Sequence, residues 1–242
     1  MRVCSSLVLA AAWIAAVGPV PVRAQTLTLH YFERPPYAST QPDGSATGLV
    51  ATPAAQALTR AGIGWRWAST PPQRQLALIQ GPAGLHCGVG WFRSPSRAAR
   101  GKFSRDLYRD QPLGAIVRPG LVAGGPVRAA ELIAAHGDRL IVVEGFSYGA
   151  TLDTAIGKAS APPQRSSAEP QQLVRMIAAG RAGWTFVAPE EARLWLAEPQ
   201  AVAAGLQELR FEDAGSGQTR HLYCNNAVPD DWIERIDRAL AR

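Results

Sequence analysis

The chain has little to offer a bound metal or cofactor. Among 242 residues there are three cysteines and four histidines. His30, His86, His136 and His221 are scattered, and no pair stands at ligand spacing with cysteine or a carboxylate, so no metal site is expected. No glycine-rich dinucleotide fingerprint and no phosphate loop occur, which leaves no expected cofactor. Basic residues are not interleaved with aromatics in a patch, so nothing points to nucleic acid. Internal repeats are absent. Beyond residue 24, no apolar run approaches the roughly 20 residues that a membrane-spanning helix needs.

What is present begins with an export signal. Residues 1–24, MRVCSSLVLAAAWIAAVGPVPVRA, carry a basic residue, an apolar run, a Gly-Pro break and small residues suited to cleavage near Ala24. Cys4 precedes the apolar run, where a lipoprotein anchor would need it to follow. The expected product is exported and soluble. Loss of Arg2 and Arg23 with the leader takes the formal charge from +6 to +4, 23 basic residues against 19 acidic. This mild excess is a weak pointer to anionic ligands. Cys87 and Cys224 remain, and in an oxidising compartment a disulfide is their default state. The alternative is two separate buried thiols, since both neighbourhoods are apolar. If formed, a bridge across so long a loop contributes on the order of 3–5 kcal/mol in the chain-entropy account, before strain.

Periodicity and turn residues give an alternating α/β order. Strands are predicted at 27–32, 65–67, 85–92 and 114–117. Between them lie helices from Thr52-Pro53 to Gly62 and from Pro72 to Gly81, so the first half reads as a parallel sheet flanked by helices. Arg118-Pro119-Gly120 breaks the pattern. A second α/β set follows: helix 127–136, strand 140–143, a helix from about Ser147, a Pro/Ser-rich linker at 161–170, helix 171–179, strand 184–187 and helix 190–196. Extended segments at 206–211 and 221–224 and an amphipathic helix from Pro229 complete the chain. Trp65, Trp67, Trp184 and Trp232 are at spacings typical of core positions.

The stretch 86–108, HCGVGWFRSPSRAARGKFSRDLY, stands out. A β-prone run ends in a loop bearing Arg97, and a guanidinium at a strand end suits a carboxylate or phosphate. On composition alone this is also a basic surface loop. The run S-P-S-R, then F-S and a tyrosine, resembles the T-x-E-R…F-S-x-P-Y signature of the family-three bacterial extracellular solute-binding proteins. Ser94 stands at the threonine, Ser96 at the glutamate and Asp106-Leu107 before the tyrosine. PPY at 35–37, Gly48-Leu49, Pro72 with Arg74, GFSYG at 145–149, AAGRAGW at 178–184 and APEEA at 188–192 follow in the family's order.

The resemblance implies a periplasmic, monomeric protein of two α/β lobes, each a mostly parallel sheet flanked by helices, in the type II periplasmic-binding-protein arrangement. The expected division is lobe 1 at 25–117, lobe 2 at 118–208, and a return to lobe 1 at 209–242 that brings Cys224 near Cys87. It implies a small-molecule ligand held between the lobes and an ABC permease as partner, with no catalysis. Arg97 would grip a ligand carboxylate. Ser147 and the glycine-flanked turn before its helix would offer donors from the other lobe, although a serine N-cap without a ligand is the plain alternative. Tyr37, Trp91 and Tyr148 are candidate wall residues and Arg74 a second anion contact. The family's ammonium-binding aspartate has no counterpart, because Gly183 and Ala188 occupy those places. Either Glu33 or Glu190 substitutes, or the ligand is an acid without an α-ammonium.

Two enzymatic alternatives remain. A dehydratase of the cyclohexadienyl type on the same fold would need an acid such as Glu33 or Glu190. Gly145-Phe146-Ser147-Tyr148-Gly149 also fits the nucleophile elbow of hydrolases, with Asp213 and His221 completing a triad. No HGGG-type oxyanion loop precedes it, and fewer than 100 residues follow Ser147.

Overall fold

Residues 25–122 and 124–241 are described by the computed structural model, and the expected export signal at 1–24 lies outside them. The chain starts with β1 (Leu27–Tyr31), buried at all five positions, as befits a strand covered on both faces. A small hairpin follows, β2 (Ser39–Thr40) with β3 (Ala46–Thr47). Helix α1 (Ala51–Arg60) buries Ala51, Ala54, Ala57 and Leu58, the spacing of one helical face. After β4 (Trp65–Ser69), α2 (Pro72–Gln80) opens on a proline, whose missing N–H has no partner to lose there. Next comes β5 (His86–Phe92), a single helical turn α3 (Pro95–Ala98) capped by the Ser94 hydroxyl on the Arg97 N–H, and β6 (Lys102–Arg109).

The chain then runs through β7 (Gly114–Val117), α4 (Ala129–His136), β8 (Ile141–Val143), α5 (Ala150–Lys158) and β9 (Gln164–Ser166). It continues with α6 (Pro170–Ala178), β10 (Trp184–Val187), α7 (Pro189–Leu196), α8 (Pro199–Ala203) and β11 (Gln207–Arg210). Finally β12 (Thr219–Cys224) and α9 (Asp230–Leu240) return to the first sheet, where α9 packs on α1 and β6.

The first sheet has the order β4-β1-β5-β12-β6. β4, β1 and β5 are parallel, and β12 runs against both β5 and β6. In the second, β7 runs against its neighbours β10 and β11, while β8 and β9 form a parallel pair joined to β10 by the Leu140–Trp184 bridge. Read across, β9-β8-β10-β7-β11 repeats the first sheet's pattern, with one opposing strand next to the edge. Each lobe receives its opposing strand from the far side of a crossing. The crossings, 110–113 and 211–218, lie side by side: the Asp110 N–H donates to the Gln218 carbonyl at 2.9 Å. A β-carbon at Gly217 would stand 1.6 Å from the Asp110 carbonyl oxygen, so only glycine fits.

Two sequence expectations need correction, and one strand went unpredicted. Segment 114–117, assigned to the first sheet, is the opposing strand of the second, because four buried apolar residues announce a strand but not its partner. The first crossing therefore lies at 110–113, before the expected start of lobe 2 at 118. Residues 102–109, whose four charges mask any alternation, form the first sheet's edge strand, and charge on an edge discourages pairing with other chains. The expected linker contains β9.

Cys87 and Cys224 face each other in register on β5 and β12 and form a disulfide. Trp184 is fully buried, and Trp65, Trp67 and Trp232 pack half-buried against the first core. The buried His30 bridges Thr70 through Nδ1 and His86 through Nε2, each at 2.9 Å. Burial, with the neighbouring His86 and the charges of Arg66 and Arg74, lowers its pKa to about 4.

Candidate functional site at the seam between the lobes

The segment after β1 reaches across to the second lobe. Arg34 forms a bidentate pair with Glu191 in the first turn of α7, at 2.7 and 2.8 Å. Burial opposes the guanidinium's charge, and Glu191 more than offsets this, so its pKa lies above the usual arginine value. The Arg34 guanidinium lies 5.3 Å over the Tyr37 ring, and Arg220 covers the same ring at 3.9 Å.

Arg220 is buried in β12 because Asp110, at the first crossing, receives it through two bonds of 2.7 and 2.8 Å. Both side chains are buried, and removing either would strand the other's charge. Burial raises the Asp110 pKa, with Arg220 pulling the other way. Glu190 closes the network. Its Oε1 accepts from the Tyr108 hydroxyl at 2.7 Å and from the Gln111 N–H at 2.8 Å, while Oε2 is buried without a hydrogen-bond partner among the described residues. Burial and this bond push Tyr108 up to about 12.

The structure brings some of the expected site residues together and separates others. Arg97 stacks 4.9 Å over Trp91, and its Nη1 donates to the Phe92 carbonyl at 2.9 Å. Trp91 is itself fixed by a 3.1 Å bond to Gln75. Burial lowers the Arg97 pKa, as expected of a cation with no carboxylate at ion-pair distance among the described residues. Tyr37 lies in the seam, 2% exposed, with its hydroxyl unpartnered among the described residues. Ser147, however, donates to Asp153 at 2.6 Å, and the Tyr148 N–H goes to the same carboxylate, so an internal anion already occupies that turn. The Tyr148 hydroxyl accepts from the Val143 N–H and its ring packs on Phe186, within the second lobe. Arg74 is exposed on α2. Glu33 is exposed and bonds the Thr40 N–H and hydroxyl, which ties the hairpin.

The hydrolase arrangement is not assembled. Asp213 accepts from the Ala129 N–H, and His221 Nδ1 bonds the Ser104 carbonyl oxygen.

At the carboxyl end of β5 and the start of β12, an open cavity of about 360 Å³ is lined by Phe92, Arg93, Arg109, His221 and residues 216–219; Arg97 is not in its lining and adjoins it through the Phe92 carbonyl that it holds. Its far rim meets the second lobe, for a β-carbon at Gly149 would stand 3.4 Å from Gln218 Nε2. Ligands of open α/β sheets settle outside the carboxyl ends of strands, where this cavity lies. Arg34, Arg93, Arg109, Asp110, Glu191 and Arg220 were not singled out from sequence.

The fold is that of the type II periplasmic binding proteins. An ancestral arginine-binding protein bound to arginine superposes with a TM-score of 0.68 at 15% identity, covering 89% of this chain and 91% of its own. A Salmonella typhimurium periplasmic binding protein of high arginine specificity matches at 0.66 and 12%, covering 90% and 92%. An ancestral amino-acid-binding protein described as a precursor of cyclohexadienyl dehydratase matches at 0.64 and 14%, covering 89% and 88%. No protein-family model matches the sequence, and no curated protein does.

Proposed function

We propose that this is an exported, periplasmic solute-binding protein that closes its two lobes on one small carboxylate-bearing solute and presents it to an ABC importer. The observation that carries the reading is the seam itself. Two lobes of one strand order meet through side chains at the carboxyl ends of β1, β5 and β10, with a cavity bounded by Phe92, whose carbonyl accepts from Arg97. In this reading Arg97, held flat on Trp91, takes the carboxylate, and the solute is selected by contacts completed only when the lobes close.

The test is a thermal-shift screen of mature protein, unfolded and refolded to remove carried ligand, against amino acids, carboxylates, aromatic acids, sugars and polyamines. A ligand at 100 times its dissociation constant stabilises by about 2.7 kcal/mol, several degrees. A hit confined to carboxylates is expected. Arg97→Ala abolishes that shift while the empty protein melts almost unchanged; silence across the panel would overturn the reading. The free Oε2 of Glu190 favours one other possibility, an acid acting on a cyclohexadienyl substrate. Turnover of prephenate or arogenate would replace binding by catalysis.

A further inference from the structure

Five arginines surround the seam, and they divide sharply by partner. Arg34 and Arg220 are each consumed by a bidentate carboxylate. Arg97 has only a carbonyl and a ring. Arg93 has no carboxylate partner within salt-bridge distance among the described residues and lies 5.8 Å over Phe103. Arg109 touches the exposed Asp106 at 3.7 Å and the Gly217 carbonyl at 3.4 Å, both long. The acids divide in the opposite way: Asp110 and Glu191 are each taken by an arginine, and Glu190 by Tyr108 and Gln111. The cavity lining thus holds two guanidiniums and no carboxylate, with Asp106, 3.8 Å from His221, as the nearby acid. A site so charged favours anions, and its volume is at the lower end for small-molecule pockets.

Resting on the solute-binding reading above, we infer that the solute is a dianion: one carboxylate meets Arg97, and a second anionic group is held by Arg93 and Arg109 where the chain crosses between lobes. The same charge distribution explains why nothing replaces the ammonium-binding aspartate at Ala188. No lining residue of the cavity offers an ammonium a carboxylate.

Calorimetric titration of the refolded mature protein with paired probes tests this: succinate against butyrate, phthalate against benzoate, and 3-phosphoglycerate against glycerate. The dianion of at least one pair binds tenfold or more tightly than its monoanion, and the pair that responds says whether the second group is carboxylate or phosphate. Arg93→Gln and Arg109→Gln, both at exposed side chains and verified by melting temperature, each erase that preference. Equal binding within every pair, or variants that keep the preference, overturns the dianion site while leaving solute binding intact. Failure of all six probes overturns it too, and the broader panel then decides separately whether any solute binds.

Discussion

The two lobes share a strand order and hold it by different means. In the first, five strands form one uninterrupted hydrogen-bonded sheet, and the Cys87–Cys224 disulfide fastens the opposing strand to its neighbour. In the second, the sheet is a three-stranded and a two-stranded piece joined by one bridge, and it contains no cysteine. An aromatic cluster takes the place of the covalent tie: Trp184 packs on Phe186 and Phe211, with Tyr148 against Phe186. Each opposing strand arrives after the chain has visited the other lobe, so each is a long-range partner that local contacts cannot secure. One lobe secures it with a covalent bond and the other with large buried rings.

The sharpest way to break this comparison is Trp184→Ala. It should cost about 3–5 kcal/mol, as for other fully buried aromatics, and circular dichroism during urea titration should show the second lobe unfolding first. Replacing both Cys87 and Cys224 by alanine should cost about 2–4 kcal/mol and lower the first lobe's transition instead; an unchanged midpoint would mean the ladder alone holds β12. Acid provides a third test. His30 has a folded pKa of about 4 against 6.5 unfolded, so the unfolded chain binds the extra proton. Stability is then full above pH 6.5 and declines as pH falls toward 4, by about 2 kcal/mol between pH 7 and pH 5. His86 is shifted in the same direction by burial, and His30→Asn should flatten the slope. Glu191→Gln should weaken the Arg34 clasp by about 1–2 kcal/mol and increase the radius of gyration in small-angle scattering. Glu33→Gln should cost only about 0.5–1 kcal/mol and leave solute binding unchanged, since its partners lie within the hairpin.

Local signals made much of this legible in sequence. Pro72, Pro170 and Pro189 mark helix starts, and alanines at three- and four-residue spacing mark α1. The cysteine pair was open to inspection because only two cysteines lie beyond residue 24, and two have one possible pairing. Long-range polar pairing was not. Arg34 and Glu191 are 157 residues apart and Arg220 and Asp110 are 110 apart, and no periodicity encodes such partners. The Ser147 turn misled for a more local reason. Asp153, within its own helix, satisfies the donors that seemed available to a ligand.

The contact of Gly217 with Asp110 has a mechanical consequence. Because the two crossings touch backbone to backbone, neither can flex alone. A rotation of one lobe against the other would carry both crossings together, where two separate tethers would move independently. A methyl group at position 217 would act as a wedge between the crossings, resetting the angle at rest from within the cavity wall.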